Sequence, residues 1–435
     1  MVSGAIVRRR YLVALIDAGG TVPPALGVAA QLVRRGHGVH VLSDPTVEAS
    51  ARSAGCTFSP WHEAPHVNSR EEQTALLAAI EGSNPYRAFR AAKDYAGKDM
   101  TSRFAQDVVS TVQDVPVDAI LSDGLPGMLI GAHATGHPTA VLLANIYARP
   151  TAGLPLLGTG WSSGPGRFAK ARDSLAPGIA AWLFARTLPR LNAVAARYGQ
   201  PRLSDVFELF DRCKRVLVMT SPSFDFPAPQ LPTNVRYVGP QLDDPDWAVE
   251  AEWSRRGSQP LVLVGLSSVY QDQTELLRSI AQGLGRLPVS VVLTTGTAVE
   301  PSQIPAPPNI QVLRAAPHQR VLTEASVVVT HAGHGIVMKA LAAGVPLVCI
   351  PMGRDQKDNT ARVLRLGAGV QIGKRSTPDR IAAAVTEVMG RPEYRTAARQ
   401  FADVLAQEAA SRPRGADEAE AMLADPSDQP TQPGR

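Results

Sequence analysis

The segment between residues 325 and 360 carries the residue types with the clearest potential for chemistry. Its first part, ASVVVTHAGHG, has the apolar pattern of a buried strand that ends at His331, and Gly333 and Gly335 flank His334. A helix is expected to begin near Ile336. Backbone N–H groups at the start of such a helix bind anions, and glycine lets a phosphate approach the backbone closely. The pattern therefore predicts a phosphate site, to which His331 can donate a further hydrogen bond.

A second polar pair follows the next predicted strand. That strand, 347–350, ends at Pro351, and a new helix opens at RDQKDN. Because the carboxyl ends of parallel strands meet at one edge of a sheet, Asp355 and Gln356 are expected beside the phosphate loop. A carboxylate and an amide together offer acceptors and donors, which suits a ligand with several hydroxyl groups. Each of these residues also has ordinary structural uses, and it is their combination that favours a ligand site.

The composition is that of an ordinary globular protein with more than one domain. The chain has 435 residues, of which 44% are hydrophobic and 19% are charged, and this length favours two or three domains. The net charge is +5, without the lysine and arginine cluster that is typical of a nucleic-acid-binding arm. The positive excess fits an anionic small-molecule ligand or ordinary surface charge, and we expect no nucleic-acid partner.

The three cysteines, Cys56, Cys213 and Cys349, lie far apart in the sequence. This spacing argues against a disulfide framework and against a zinc site, and it favours a reducing, cytoplasmic location. The apolar run at 11–16 is too short for a signal peptide. No apolar run approaches the ~18–20 residues that a membrane-spanning helix needs.

Strand and helix patterns alternate along both halves of the chain. Apolar runs such as 11–16 and 118–123 have the pattern of buried strands, and helical periodicity follows them. The alternation restarts after 224–260, a segment dense in proline and acidic residues that is typical of an interdomain linker. Repeated strand–helix units predict parallel sheets. The expected fold is therefore α/β with two similar halves joined near residue 240, followed by a disordered tail from about Asp425.

The segment 321–360 resembles the donor-binding motif of family 1 glycosyltransferases of the GT-B fold. The letters HAGHG, followed by ALAAGVPLVCIPMGRDQKDN, match that motif in order and spacing, and a weaker resemblance extends over the whole chain. The bacterial natural-product branch of the family is the most similar. The resemblance implies two Rossmann-like domains that face each other across a cleft. It also implies an inverting hexosyltransferase whose co-substrate is a UDP- or TDP-hexose and which needs no other cofactor.

The resemblance also implies how the chain is divided. Residues 1–235 would form an acceptor-binding domain, 236–258 the linker and 259–410 a domain that binds the nucleotide sugar, while 411–435 would hold a helix end and a disordered tail. The partners are then a small-molecule donor and acceptor, and the chain is a monomer or a homodimer. A helix N-terminus and His331 would stabilise the leaving group, so the resemblance implies no metal requirement.

The resemblance assigns the donor site residue by residue. The ring of His331 and the N–H groups of Gly335 and Ile336 would hold the diphosphate, and Asp355 and Gln356 would hold sugar hydroxyl groups. Ser268 would add a phosphate contact, while Ala316 and His318 stand where the family meets the base and the ribose. The donor positions of the phosphate loop and its helix also include Gly333, His334 and Lys339.

Two donor positions depart from the family. Ala315 stands where an aromatic residue often stacks on the base, and Lys339 stands where plant members hold the ribose with a glutamate. A lysine cannot accept a hydrogen bond from a ribose hydroxyl, so its expected role is to reach the diphosphate. The departures leave the choice between UDP and TDP open.

The base that takes the proton of the acceptor is expected in the N-terminal half. In the family it is usually a histidine in the first loop, oriented by an aspartate at the end of a later strand. Asp123, at the end of AILSD, matches the aspartate, whereas Thr21 occupies the histidine position in DAGGTVPP. Threonine cannot act as a base at neutral pH. Together with Pro23 and Pro24 it instead favours a capped helix start.

Three hypotheses for the base stay open. Asp123 takes the proton directly or through a water, or another side chain is folded into the site. In the third, an acceptor such as a phenol needs little assistance or the protein is weakly active. The side chains considered under the second hypothesis are Asp17, His62, His66, His133 and His137.

Aromatic residues of the N-terminal half are the candidates for an acceptor pocket. They are Trp61, Tyr86, Phe89, Tyr147, Trp161, Phe168 and Trp182. A mostly apolar wall suits a hydrophobic acceptor such as an aromatic or polyketide natural product. Two alternative functions are a sugar-nucleotide epimerase or hydrolase on the same fold, and an auxiliary protein that binds a nucleotide sugar without turnover.

Overall fold

Two parallel β-sheets organise the part of the chain that the structure describes. The computed structural model describes residues 7–80, 99–164, 166–228, 230–244, 252–255 and 257–424. The strands of the first half are β1 (Arg10–Ala14), β2 (Gly38–Ser43), β3 (Thr57–Pro60), β4 (Ala119–Ser122), β5 (Thr139–Leu143), β6 (Arg215–Val218) and β7 (Val235–Tyr237). Those of the second half are β8 (Leu261–Gly265), β9 (Ser290–Thr294), β10 (Ile310–Leu313), β11 (Ala325–Thr330), β12 (Leu347–Cys349) and β13 (Gly369–Gln371).

Helices connect the strands of both sheets. In the first half they are α1 (Val22–Arg34), α2 (Glu48–Ser53), α3 (Arg70–Ile80), α4 (Met100–Asp114), α5 (Pro126–Ala134), α6 (Arg167–Ala185), α7 (Leu188–Arg197) and α8 (Glu208–Asp211). In the second half they are α9 (Thr274–Leu284), α10 (His318–Leu322), α11 (His334–Ala342), α12 (Gln356–Arg365), α13 (Pro378–Gly390), α14 (Pro392–Ser411) and α15 (Gly415–Ala424).

Each sheet has one point at which the order of its strands reverses. The orders are β3-β2-β1-β4-β5-β6-β7 and β10-β9-β8-β11-β12-β13. In such sheets a crevice opens beyond the carboxyl ends of the two central strands, here β1 with β4 and β8 with β11. Branched apolar runs such as LVLVG in β8 are buried at every position, because helices cover both faces of a parallel sheet. The predicted α/β fold with two Rossmann-like halves is confirmed.

A buried ion pair joins the two halves. Asp225, which follows β6, and Arg362 of α12 are 2% and 6% exposed. The Arg362 guanidinium donates to Asp225 Oδ1 from Nη2 at 2.6 Å and from Nε at 3.0 Å. The other carboxylate oxygen accepts from the Tyr147 backbone N–H and the Tyr237 hydroxyl. Because both oxygens have donors, the charge of the carboxylate is compensated although water cannot reach it.

Apolar side chains also cross between the halves. Ile146 and Phe224 of the first half belong to the buried core of the second half, and Phe224 meets the ring of His334 edge-on. Ala361 of α12 packs in the opposite direction, into the core that contains Tyr147. These contacts bring α12 against the end of β5.

The chain returns to the first half at its C-terminal end. Residues 415–424, for which we expected only the end of a helix, form α15 and pack small apolar side chains such as Ala416 and Ala419 against the first sheet. Arg35, the C-cap residue of α1, pairs with Asp417 and Glu420 of this helix. The local sequence could not predict this packing, because the partner lies some 380 positions earlier. The expected disordered tail, 425–435, lies outside the described residues.

Two further expectations concern cysteines and membranes. All three cysteines are free and buried, as their spacing predicts. None of the helices in the described ranges is long and apolar enough to span a membrane.

Asp225→Ala tests the pair that joins the halves. The variant leaves the Arg362 cation buried without its counter-ion, so we expect a loss of about 3–5 kcal/mol in the free energy of unfolding. The matched control is Asp379→Ala, which removes an aspartate that also contacts an arginine at 2.6 Å but is 83% exposed. Such a surface pair contributes about 0–1 kcal/mol. Equal shifts of the two variants in urea denaturation would contradict the inferred importance of the buried pair.

Candidate active site

The loops at the two sheet reversals meet face to face. The loop between β1 and α1 contains Gly19, which has a φ of +77°, and a Cβ placed there would lie 2.7 Å from Val269 Cγ1 and 3.3 Å from Ser268 Oγ. Ser268 and Val269 follow β8 of the opposite half. Glycine is therefore needed at position 19 both for its backbone conformation and for this close approach. The glycines of DAGGT bring the two halves together at this position.

The predicted phosphate loop opens α11. Gly333 is the N-cap residue, and the first backbone bond runs from Val337 N to the Gly333 carbonyl. The N–H groups of His334, Gly335 and Ile336 precede that bond, so they have no acceptor within the helix and form its positive end. These groups can bind an anion.

Backbone strain lies directly before that N-terminus. Ala332, immediately before the cap, has a φ of +66° although it is not glycine. It is fully buried, and its N–H bonds to Thr330 Oγ1. Strain of this kind concentrates at functional sites.

His331 lies beside this helix terminus as a neutral ring. Its Nε2 atom would be 2.6 Å from a Cβ at Gly333, so the ring packs directly on the loop. Burial lowers the pKa of His331 to about 4, although Asp355 and a hydrogen bond to the Gly265 carbonyl act in the opposite direction. The Nδ1 atom of the ring contacts Thr330 Oγ1 at 3.4 Å. A neutral imidazole has one N–H, which can donate to a phosphate oxygen.

Asp355 is shared between the two halves. It is the N-cap residue of α12, and its Oδ2 atom accepts from Asn359 Nδ2 at 2.7 Å and from Asn145 Nδ2 at 2.5 Å. Asn145 follows β5 in the first half, and no sequence pattern had marked it as functional. Asp355, predicted to bind sugar hydroxyl groups, is thus oriented by both halves at the opening of the cleft.

Gln356 has a different role from the predicted one. It is 1% exposed, its Oε1 accepts from the backbone N–H groups of Met352 and Gly353, and its Nε2 donates to Gln271. Because both ends of the amide already have protein partners, Gln356 supports the loop before α12 instead of facing a sugar. The local pattern could not show this, since the partners come from outside the helix.

Lys339 also differs from its prediction. Its ammonium group donates to Asp244 Oδ1 at 2.6 Å, and both side chains are largely buried. Asp244 lies in the predicted linker and also accepts from the Gln319 backbone N–H. The lysine that was expected to reach the diphosphate is therefore neutralised by the linker.

The histidines near α11 are neutral and partnered by hydroxyl groups. The ring of His334 contacts Thr220 Oγ1 at 2.8 Å, in the first half, so its side chain faces the junction of the halves and only its backbone N–H belongs to the phosphate loop. His318 contacts Thr294 Oγ1. Burial lowers the pKa of each ring to about 4. Ala316, two positions before His318, is buried and offers no polar side-chain atom.

Asp123 lies at the carboxyl end of β4, at the reversal point of the first sheet. Its Oδ2 atom accepts from the Ile16 backbone N–H at 2.9 Å, which ties the carboxylate to the loop after β1. Burial raises the pKa of Asp123 to about 6, with a further contribution from Asp44, although two backbone N–H groups lower it. A carboxylate with such a pKa is ionised at neutral pH and is more basic than an ordinary aspartate.

Thr21 does not cap α1 with its side chain. It is the N-cap residue, but its hydroxyl makes no capping bond and is buried without a hydrogen-bond partner. The predicted cap fails because the backbone of Thr21 is already helical, with φ −87° and ψ −25°, whereas a capping residue is normally extended.

The other candidates for the base lie elsewhere or have structural roles. Asp17 accepts from Arg70, Thr46 and the Gly19 N–H, and its side chain is 1% exposed. His62 is largely exposed beside Glu63, and His66 bonds to the Ala64 carbonyl. His133 and His137 lie before β5, at the amino ends of the strands, whereas Asp123 lies at a carboxyl end.

Comparison with known proteins connects this geometry to an activity. Residues 278–424 match the family model described as erythromycin biosynthesis protein CIII-like, C-terminal domain. The chain is 30% identical over 408 residues to 4'-demethylrebeccamycin synthase of Lentzea aerocolonigenes, an alignment that covers 91% of this chain and 96% of that protein. The chain belongs to the family 1 natural-product glycosyltransferases. The alternative of an epimerase, a hydrolase or a non-enzymatic auxiliary protein finds no support among these relatives.

Solved structures show that the glycosyltransferase has the GT-B fold. The glycotransferase of kitacinnamycin superposes with a TM-score of 0.74 at 23% identity, covering 96% of this chain and 100% of that one. Glycosyltransferase VinC in complex with dTDP superposes with a TM-score of 0.60 at 18% identity, covering 95% and 98%. These superpositions confirm the predicted fold, and membership of the family confirms the predicted glycosyltransferase activity.

The aromatic candidates of the glycosyltransferase separate into three groups. Trp61 is a core residue that is 2% exposed and stacks edge-on against Phe104, and Tyr147 is likewise buried. Their rings pack in buried clusters of the first half, and Tyr147 also lines a cavity with Phe207 and Phe210. Their role as acceptor contacts stays a prediction. Those whose side chains are exposed are Trp161, Phe168 and Trp182. Tyr86 and Phe89 lie outside the described residues.

His331→Ala tests the phosphate site. We expect kcat/KM for the donor to fall by about 10- to 100-fold, because a hydrogen bond to a charged group contributes about 1.5–3 kcal/mol. Calorimetry at pH 7 should show weaker binding of TDP and UDP to the variant than to the wild type. His62→Ala, which alters a side chain that is 87% exposed, should change neither quantity. Unchanged donor kinetics in His331→Ala would exclude the phosphate role.

Proposed function

We propose that the glycosyltransferase moves a hexose from a nucleoside diphosphate donor, UDP- or TDP-linked, to a hydrophobic small molecule with inversion at the anomeric carbon. The observation that carries this proposal is the contact of Gly19 with Ser268 and Val269, which places the loop beside Asp123 opposite the anion site at α11. The complex of VinC with dTDP, a protein of the same fold, supports TDP as the first nucleotide to test.

The second half stabilises the leaving group. When the bond between the anomeric carbon and the diphosphate oxygen breaks, negative charge grows on the diphosphate. The free N–H groups of His334, Gly335 and Ile336 and the ring of His331 lie together at the start of α11, which is the proposed position of that charge. Such preorganised donors stabilise charge without reorganisation during the reaction. Within the described residues no three His, Cys, Asp or Glu side chains lie together as metal ligands.

Asp123 receives the proton of the acceptor. The acceptor oxygen or nitrogen attacks the anomeric carbon from the side opposite the diphosphate, and its proton passes to the Asp123 carboxylate directly or through a water. One bond forms as the other breaks, so the configuration inverts. The raised pKa of about 6 supports this role, since it strengthens the base and still leaves it ionised at neutral pH. The Thr21 hydroxyl, buried without a partner, borders the same loop.

Helix α6 supplies the apolar wall for the acceptor. Phe168, Leu175, Ile179 and Trp182 recur at helical spacing and are exposed, whereas the buried positions of the helix are small or polar: Asp173, Ala176 and Ala180. A stripe of large exposed apolar side chains marks an interaction surface. The helix lies beside the cleft, because Arg172 stacks on Trp161 and the preceding residue, Gly160, touches Lys357 of α12. This surface supports a hydrophobic acceptor.

Asp123→Asn tests the proposed base. Turnover should fall by about 10²- to 10⁴-fold, while TDP and UDP affinity stays unchanged. In the wild type, kcat/KM should be flat above pH 6 and fall about tenfold per pH unit below it, because protonation removes the base. The matched control is Asp118→Asn, which alters a half-buried carboxylate that also accepts a backbone N–H, that of Arg10, at the other end of the same strand. Full turnover by Asp123→Asn with TDP-hexose and an acceptor panel would assign Asp123 a structural role only.

A further inference from the structure

A loop of the first half is bound by a carboxylate of the second half. The backbone N–H of Gly158 donates to Asp358 Oδ2 at 2.7 Å, and that of Gly160 donates to Oδ1 at 3.1 Å. Asp358 belongs to α12 and is 2% exposed. Each oxygen of the carboxylate therefore holds one N–H of the loop, in a charge-assisted pair of bonds that water does not weaken.

The loop has the shape that this contact requires. Gly158 and Gly160 have φ values of +87° and +70°, and a Cβ at Gly160 would lie 2.6 Å from Lys357 Cβ. Thr159 Oγ1 donates to the Leu156 carbonyl, which closes the loop on itself. Only glycine at position 160 allows both this backbone conformation and this approach.

The contact lies next to the predicted sugar residue. Asp355 and Asp358 are the N-cap and an early residue of the same helix, one turn apart. Asp355 accepts from Asn145, and Asp358 accepts from the loop 156–160, so both carboxylates are held by donors from the first half. The loop thus covers the start of α12 at the sugar end of the cleft.

We propose that loop 156–160 is a lid over the donor sugar and that Asp358 is its latch. This inference rests on the proposed function of the site. A closed lid keeps bulk water from the anomeric carbon, where water would otherwise replace the acceptor. In that side reaction a water oxygen attacks the anomeric carbon, the bond to the diphosphate breaks, and the proton passes to Asp123. The products are a free hexose and a nucleoside diphosphate. Asp358 touches no substrate and acts as a positioning residue.

The test measures donor hydrolysis and sugar transfer in parallel. In Asp358→Ala both N–H groups lose their acceptor, and we expect the ratio of hydrolysis to transfer to rise by about 10- to 100-fold. Gly160→Ala keeps the latch but forces the loop away from Lys357, so it should raise the ratio as well. The control is Asp379→Ala, which removes an exposed helix aspartate remote from the cleft and should leave the ratio unchanged.

The outcomes separate the lid from the proposed function. A wild-type protein that transfers no hexose from TDP- or UDP-linked donors would contradict the function. A wild type that transfers hexose, with an unchanged ratio in folded Asp358→Ala and Gly160→Ala, would overturn the lid alone. If thermal melting shows that Asp358→Ala is unfolded, Gly160→Ala decides the question, because its substitution leaves the buried carboxylate in place.

Discussion

The ion pair between Asp225 and Arg362 is the constraint on which the cleft depends. Arg362 belongs to α12, the helix that begins beside Asp355 and carries Asp358, while Asp225 also accepts the backbone N–H of Tyr147, two residues after Asn145. The pair therefore fixes the start of α12 against the end of β5. Two further contacts require that position of α12: the contact of Asn145 with Asp355 and the contact of loop 156–160 with Asp358.

The two halves supply groups of opposite electrostatic character. In the proposed mechanism the second half offers hydrogen-bond donors and the positive end of α11 to the diphosphate, and burial lowers the pKa of its histidines His331 and His334 to about 4. The first half offers a carboxylate whose burial makes it a better base. If the helix terminus and the carboxylate lay on one sheet, the terminus would favour the anionic form of the carboxylate and lower its basicity. Because the helix terminus and the carboxylate lie on separate sheets, their electrostatic environments stay separate. The loops at Gly19 and Ser268 hold the two halves in contact.

The sequence predicted the features that local patterns encode. Alternating strands and helices indicated two parallel sheets, and the motif around His331 and the strand end at Asp123 marked the two sides of the cleft. Local patterns do not encode the direction of a side chain or its distant partner. Gln356 and Lys339 match the motif by position, yet their partners, Gln271 and Asp244, come from other loops. Asn145, Asp225 and α15 were missed for the same reason, since their roles exist only once the halves pack together.

The account predicts a single displacement between a base on one half and a leaving group on the other, and the stereochemistry of the product tests this most directly. A donor with an α-linked hexose, such as TDP-α-glucose, is incubated with the enzyme and an acceptor, and the anomeric configuration of the product is determined by proton NMR. The account predicts a β-linked glycoside. An α-linked product would mean retention, which requires either a second displacement or departure and attack on the same face, and it would contradict the roles assigned to Asp123 and to the phosphate loop.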